Sequence, residues 1–213
     1  LASVRDQSYE GVIETIVIDD CSKDSTLEIA GGFAAASDER RPVRIISKNE
    51  NSGVASSRNE GVLAASGEYV CFLDSDDMWD VHKVQKQVEL LSGGTFAGKE
   101  PCIVCTAREL IDGEGVSSGK VIHVPEVITY DDMLKTNLIP CSSVMLRRET
   151  ALEFPMERDD LVEDYIDWMK ILKKYGFAAG IDEPLLRYRI IQGSRSHNKL
   201  KAAKNHYKAL RYI

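Results

Sequence analysis

The chain has 213 residues, 43% of them apolar, with 34 Asp and Glu against 27 Lys and Arg. That length suits one full-sized core rather than two. A charged share of 29%, with 15 Gly and 6 Pro, excludes disordered, collagen-like and low-complexity classes. No apolar run approaches the roughly 18 to 20 residues of a bilayer span, and nothing after Leu1 reads as a cleaved signal sequence. Five cysteines without framework spacing favour a reducing, cytoplasmic setting. From Arg187 to Ile213 there are eight Lys and Arg and no acid, which leaves residues 1–186 at −15. A body that acidic repels nucleic acid. An anionic ligand needs either the basic tail or a bound cation.

In chain order, residues 14–20 form a short β-branched run ending in acids, 43–48 a second run and 69–73 a third. Stretches of about 20 residues rich in Ala, Glu and Leu separate them, and this alternation predicts parallel βαβ units. Residues 2–8 read as the tail of a helix with no strand before it, so an opening strand is expected to be missing. Val81, Val84, Val88 and Leu91 recur at helical spacing and predict a helix over 80–91. Residues 101–110 and 120–124 flank Asp-Gly-Glu-Gly and predict a hairpin. Residues 141–148 predict another strand. Leu161, Tyr165, Trp168, Met169 and Leu172 trace one face of a helix over 160–175. A last strand follows at 184–190 and a basic helix at 198–213. With no repeat and no linker, the reading is a single α/β domain over 1–213, with a mixed, mostly parallel sheet flanked by helices.

Two motifs are set aside. Gly93 to Glu100 falls one residue short of a phosphate-cradling loop, because Glu100 stands where a magnesium-binding hydroxyl is required. Cys102 and Cys105 lie three apart on a predicted strand, hence on opposite faces, and read as buried fillers rather than a metal or disulfide pair.

Acids close two of the predicted strands: Asp19 and Asp20 the first, and Asp74, Asp76 and Asp77 the third. Asp favours turns after strands on its own account. In parallel sheets, however, ligands bind at the carboxyl ends of strands, and two acidic clusters on one rim exceed what turns require. In an extended segment Asp74 and Asp76 project to one side, where two carboxylates share a hard divalent cation. Such a cation lets an acidic cleft hold a diphosphate. At the start of the Trp168 helix, Asp160 reads as the N-cap and Glu163 as its reciprocating partner. That leaves Asp164 facing the cleft as a candidate general base.

These segments resemble family 2 glycosyltransferases of the GT-A fold. Glu14 to Thr26 is similar to their second-strand motif, Asn51 to Gly61 to their next helix, Tyr69 to Trp79 to their Asp-x-Asp strand, and Glu163 to Trp168 to their Glu-Asp…Trp helix. The four occur in family order and cover nearly the whole chain. The resemblance implies that Asp20 contacts a uracil base with Asp19 beside it. It implies that Asp76 binds metal, and that Asp74 shares it nearer the ribose and diphosphate. Asp164 would be the base. Cys141-Ser142-Ser143 would line the acceptor side, with Ser142 toward the donor, and the loop from Arg187 through Arg195 to His197 would cover the donor phosphates.

It further implies Mg²⁺ or Mn²⁺, a UDP-sugar donor, a saccharide or lipid-linked saccharide acceptor, and inverting transfer in bacterial capsule, lipopolysaccharide or exopolysaccharide synthesis. Residues 1–112 would be the nucleotide-binding half, 113–190 the acceptor half and 191–213 a basic helix. The family's first strand, between those ending at Asp20 and Asp74, has no match here. Two other readings stay open. A sugar-1-phosphate nucleotidyltransferase has no place for the Glu163-Asp164…Trp168 helix. A non-catalytic nucleotide-sugar-binding module has no use for Asp74, Asp76 and Asp164 together. The basic helix reads as a solvated face or as an attachment to anionic membrane.

Overall fold

A computed structural model describes residues 1–93, 99–190 and 199–213. The first half runs α1 (Ala2–Arg5), β1 (Thr15–Asp19), α2 (Thr26–Ala35), β2 (Val43–Ser47), α3 (Val54–Ala64), β3 (Tyr69–Cys71), β4 (Met78–Trp79) and α4 (Lys83–Gly93). The second half runs β5 (Ile103–Ile111), β6 (Ser117–Ile122), β7 (Val127–Thr129), α5 (Tyr130–Lys135), a 3₁₀ turn (Cys141–Ser143), β8 (Met145–Arg147), α6 (Arg148–Glu153), α7 (Glu163–Tyr175), β9 (Phe177–Arg189) and α8 (Lys199–Tyr212). The set-aside loop lies largely outside the described residues, as does most of the segment from Arg187 to His197. No helix among the described residues is long and apolar enough to cross a membrane.

The strands form two sheets. β1 and β2 pair in parallel. The second sheet has the order β3-β8-β5-β9-β4, with β6 added to β5 and β7 to β9. The strands ending at Asp19 and before Asp74 therefore do not share a sheet, contrary to the one-rim expectation. α3 connects the two instead, with Gly61 packed on Ile18 of β1.

The second sheet is mixed, as expected, but among its described pairings only β5–β9 is parallel. β3–β8, β5–β8, β5–β6, β4–β9 and β7–β9 are antiparallel, so "mostly parallel" does not hold. The β5–β6 connection is too short for the crossover a parallel pair requires. β9 begins seven residues before the expected 184. Its pairing with β5 jumps from Thr106↔Ile181 to Arg108↔Leu186, so Asp182, Glu183 and Pro184 bulge out where proline could not join a ladder.

Period-two alternation splits the core into two layers. Ile103, Cys105 and Ala107 of β5, Leu146 of β8 and Ala178 of β9 face one cluster, which holds Tyr165, Trp168, Met169 and Leu172 of α7. Val104, Met145, Ala179 and Leu186 face the other, with Trp79 and with Val84 and Leu91 of α4. The second sheet is thus sandwiched between α7 and α4, and each buried Leu, Ile or Met contributes about 1.5–3 kcal/mol. All five cysteines are free thiols; Cys105 is buried and Cys102 only partly so.

Among the described residues several buried polar groups lack a hydrogen-bond partner, the Thr106 hydroxyl and the Trp168 indole N–H included, and Asp167 is the titratable one in this core layer. Asp167 on α7 is 3% exposed and its Oδ1 has no hydrogen-bond partner among the described residues. Burial pushes its carboxyl up to about 8, with Lys170 opposing and Asp164 and Glu157 adding to the rise. A carboxyl whose folded pKa exceeds its unfolded one stabilises at low pH, and that stabilisation is lost as pH rises through the folded value. The loss sets in above the unfolded value of about 4 and is complete above the folded one, so Asp167→Asn should gain steadily on the wild type between pH 5 and pH 9, by at least about 3 °C in melting temperature. Parallel melting curves across that range would refute the assignment.

Candidate active site

The first acidic cluster organises the start of α3. Asp19 is buried and accepts from the Ser22 N–H at 3.3 Å and the Ser47 hydroxyl at 3.3 Å. Asp20 accepts from the N–H groups of Ser52 at 2.9 Å and Gly53 at 3.0 Å, with Lys48 Nζ at 3.5 Å. The Ser52 N–H, then that of Gly53 and Lys48, hold its carboxyl below the usual range. Gly53 has φ +92°, and a Cβ there would lie 2.4 Å from Asp159 Oδ2, so only glycine fits. Asp159, from the loop before α7, accepts from the Ala55 N–H at 2.7 Å. It satisfies one of the donors that a helix N-terminus leaves open.

One turn further along, Arg58 reaches into the cleft. Its Nη2 donates to Asp74 Oδ1 at 2.7 Å and its Nη1 to Glu163 Oε1 at 2.9 Å. The guanidinium and Glu163 are mostly buried, at 13% and 9% exposure, while Asp74 is 40% exposed. A buried charge pair of this kind holds only when its hydrogen bonds are met, and the forked guanidinium meets two acids at once. The expected capping box is absent. Val162 occupies the N-cap position of α7 without a side-chain cap, and Asp160 pairs with Arg158 at 2.8 Å. Glu163 is the partner of Arg58 instead.

The second acidic cluster is a turn, not an extended segment: the Asp77 N–H donates to the Asp74 carbonyl at 3.1 Å. Asp74 and Asp76 are therefore not aligned by a strand. The Asp74 N–H donates to the Ser142 hydroxyl at 3.1 Å, which seats the turn on the 3₁₀ segment. Asp76 is exposed. Asp77 is buried, accepts from the Arg189 N–H at 2.9 Å, and among the described residues leaves Oδ2 without a hydrogen-bond partner. Burial pushes its carboxyl up to about 6, against the Arg189 N–H and the Ser142 hydroxyl, while Asp76 and Asp74 add to the rise. Arg189 also donates from Nε to the Asp76 carbonyl at 2.7 Å.

Asp164 stands beside Glu163 and accepts from the Tyr165 N–H at 2.8 Å. Burial, then the charge of Glu163, push its carboxyl up to about 6, against Arg58 and the Tyr165 N–H, with Asp74 adding to the rise. Around Arg58 the structure thus gathers Asp74, Ser142 and Asp164, with Asp76 and Asp77 on the same turn; Asp19 and Asp20 join through α3. Arg187 lies elsewhere, donating to the Gly115 carbonyl at 2.8 Å and standing 3.8 Å from Glu109. Arg195 lies outside the described residues. Sequence reasoning missed Arg58 and Arg189. Arg58 sits inside the Asn51–Gly61 segment, but a lone cation in a helix carries no signal of its partners.

Among the described residues no three His, Cys, Asp or Glu side chains converge as a metal site. The donors present are the carboxylates of one turn, exposed Asp76, half-exposed Asp74 and buried Asp77 with its unpartnered Oδ2. That set suits a hard cation held by one or two carboxylates together with phosphate oxygens and water, not an all-protein cage.

Residues 1–153 match the model of glycosyl transferase family 2. The chain is 39% identical over 211 residues to the putative teichuronic acid biosynthesis glycosyltransferase TuaG of Bacillus subtilis (strain 168), covering 99% of this chain and 80% of that one. It is 31% identical to the UDP-Glc:alpha-D-GlcNAc-diphosphoundecaprenol beta-1,3-glucosyltransferase WfgD of Escherichia coli, covering 99% and 78%. Among solved structures, the mannosyltransferase PcManGT from Pyrobaculum calidifontis, in complex with GDP-Man and Mn²⁺, superposes with TM-score 0.74 at 17% identity, over 99% of this chain and 59% of that one. S. aureus TarS 1–349 superposes with TM-score 0.70 at 17% identity, over 99% and 58%. The chain spans less than two thirds of either solved structure, and that likeness carries the GT-A fold. With a family model over its first 153 residues and curated relatives along nearly its whole length, the chain belongs to glycosyl transferase family 2 and is a glycosyltransferase.

Proposed function

We propose that this glycosyltransferase inverts the anomeric centre while moving a sugar from a UDP-sugar to an acceptor hydroxyl in bacterial surface-polysaccharide synthesis. One observation carries the reading: Asp164, with its carboxyl raised to about 6, stands next to Glu163, which shares Arg58 with the acidic turn of Asp74, so that Arg58 acts on Asp164 through its charge. A general base is most effective with a pKa near the working pH. Relatives named for teichuronic acid and for a UDP-Glc donor support the setting and the nucleotide.

In this scheme Asp20 and Asp19 sit at the uracil end, on the α3 loop they organise. Asp76 and Asp74, with Asp77 behind them, would hold Mg²⁺ or Mn²⁺. When bound, that cation supplies positive charge to the diphosphate as it leaves. Arg189 steadies the turn through the Asp76 carbonyl. Asp164 accepts the proton of the acceptor hydroxyl while that oxygen attacks the anomeric carbon from the face opposite the diphosphate. The bond from that carbon to the diphosphate oxygen breaks, and UDP departs with the electron pair. Residues 1–112 serve the nucleotide and 113–190 the acceptor. A lipid-linked acceptor, of the kind named for WfgD, places the work near an anionic membrane surface, toward which the basic α8 is suited.

Calorimetric titration should show UDP binding with Mn²⁺ and none with a chelator; metal-independent binding would contradict the turn assignment. Asp164→Asn should lower transfer at least about 100-fold with UDP affinity within about threefold of wild type, and equal loss of both would sink the base assignment. Transfer should rise with pH through about 6, because the ionised carboxylate is the active form.

A further inference from the structure

Behind the acidic turn lies a cation that the proposed chemistry leaves unused. Lys83, at the first residue of α4, is 0% exposed. Its Nζ donates to Gln87 Oε1 at 2.6 Å and stands 4.1 Å over the Trp79 ring. The titratable groups facing it are the thiols of Cys71, Cys105 and Cys141; among the described residues it has no carboxylate partner. An ammonium buried in this way costs several kcal/mol, and a methionine would fill a similar volume without that penalty. Packing alone does not account for Lys83.

Its two partners converge on one element. The Trp79 Nε1–H donates to the Ser142 carbonyl at 2.8 Å, and Gln87 Nε2 donates to the Ser143 carbonyl at 2.8 Å and the Val104 carbonyl at 2.9 Å. Lys83 fixes which way the Gln87 amide points: Oε1 is drawn to the ammonium, so Nε2 faces the carbonyls. It pins the indole through its π-face. Two successive carbonyls of the 3₁₀ turn are therefore gripped from one side. On the other side, Ser142 Oγ receives the Asp74 N–H at 3.1 Å.

We propose that Lys83 is a positioning residue, whose buried ammonium locks Trp79 and Gln87 onto the Cys141–Ser143 turn and thereby sets the Asp74–Asp77 turn for the donor diphosphate. The functional half of this rests on reading that turn as the phosphate end of the site. The structural half, the grip on Ser142 and Asp74, does not.

The test uses Lys83→Met and Trp79→Phe, singly and combined, in the full chain. Hydrogen exchange of the Trp79 indole and the Asp74 amide reads the brace; UDP–Mn²⁺ titration and turnover read the site. Lys83→Met should melt at or above the wild type, yet exchange both protons at least about 10-fold faster and lose at least about 10-fold in turnover, as a misplacement near 1 Å does. Trp79→Phe should lose as much turnover, and the double variant little more, because both break one chain of contacts. A folded Lys83→Met with wild-type exchange and turnover would overturn the proposal, as would a lower melting temperature with unchanged turnover per folded molecule. Should Lys83→Met fail to fold, Trp79→Phe decides alone, and wild-type turnover in that variant overturns it. If the wild type binds no UDP–Mn²⁺, the functional half falls, and exchange still decides the structural half.

Discussion

The site depends on one guanidinium. Arg58 bonds Asp74 and Glu163 at 2.7 and 2.9 Å, and so ties together α3, the acidic turn and the start of α7. Those elements have no common sheet to hold them in register. β1 with β2 forms one sheet and β3 belongs to the other, so α3 and its arginine bridge the two. Breaking a buried pair of this kind typically costs about 3–5 kcal/mol, because the remaining charge keeps its desolvation penalty. Arg58 also sets the electrostatics of its neighbour. Burial and Glu163 raise the Asp164 carboxyl, and Arg58 draws it back, leaving the group within reach of neutral pH.

A second layer of buried polar contacts stands behind the first. Asp159 and Asp20 fix where α3 begins, and hence where Arg58 points. Ser142, held through Trp79, fixes the Asp74 N–H. Both devices spend stability on placement: Gly53 has positive φ and, among the described residues, Asp77 has an unpartnered oxygen and Lys83 no acid. Strained and under-compensated groups concentrated around one cleft are characteristic of a site whose geometry matters more than its stability.

The sequence made much of this architecture readable. A β-branched run ending in acids marks β1, an apolar run followed by acids marks β3, and the helical face from Leu161 to Leu172 marks α7 with Asp164 at its start. What escaped was decided by tertiary contacts. Asp160 and Glu163 satisfy the local rule for a capping box, but Arg158 takes the first and Arg58 the second. The sequence predicts the last strand only from residue 184, whereas β9 starts at Phe177 and a bulge against β5 after Ile181 lets one strand run through Pro184. β4 is two residues long and has no period to detect. Arg187 and Arg189 lie two apart on one strand, and nothing local says that the second meets the acidic turn while the first turns to Gly115.

The central claim is that the charges sharing Arg58 set the Asp164 carboxyl. Carbon-detected NMR titration of Asp164 in the wild type and in Glu163→Gln tests it most directly. A wild-type midpoint near about 6 that falls toward the ordinary carboxylate range when the neighbouring charge is removed is the expected result. An unchanged midpoint would mean that burial alone governs Asp164 and that the Arg58 network does not reach it.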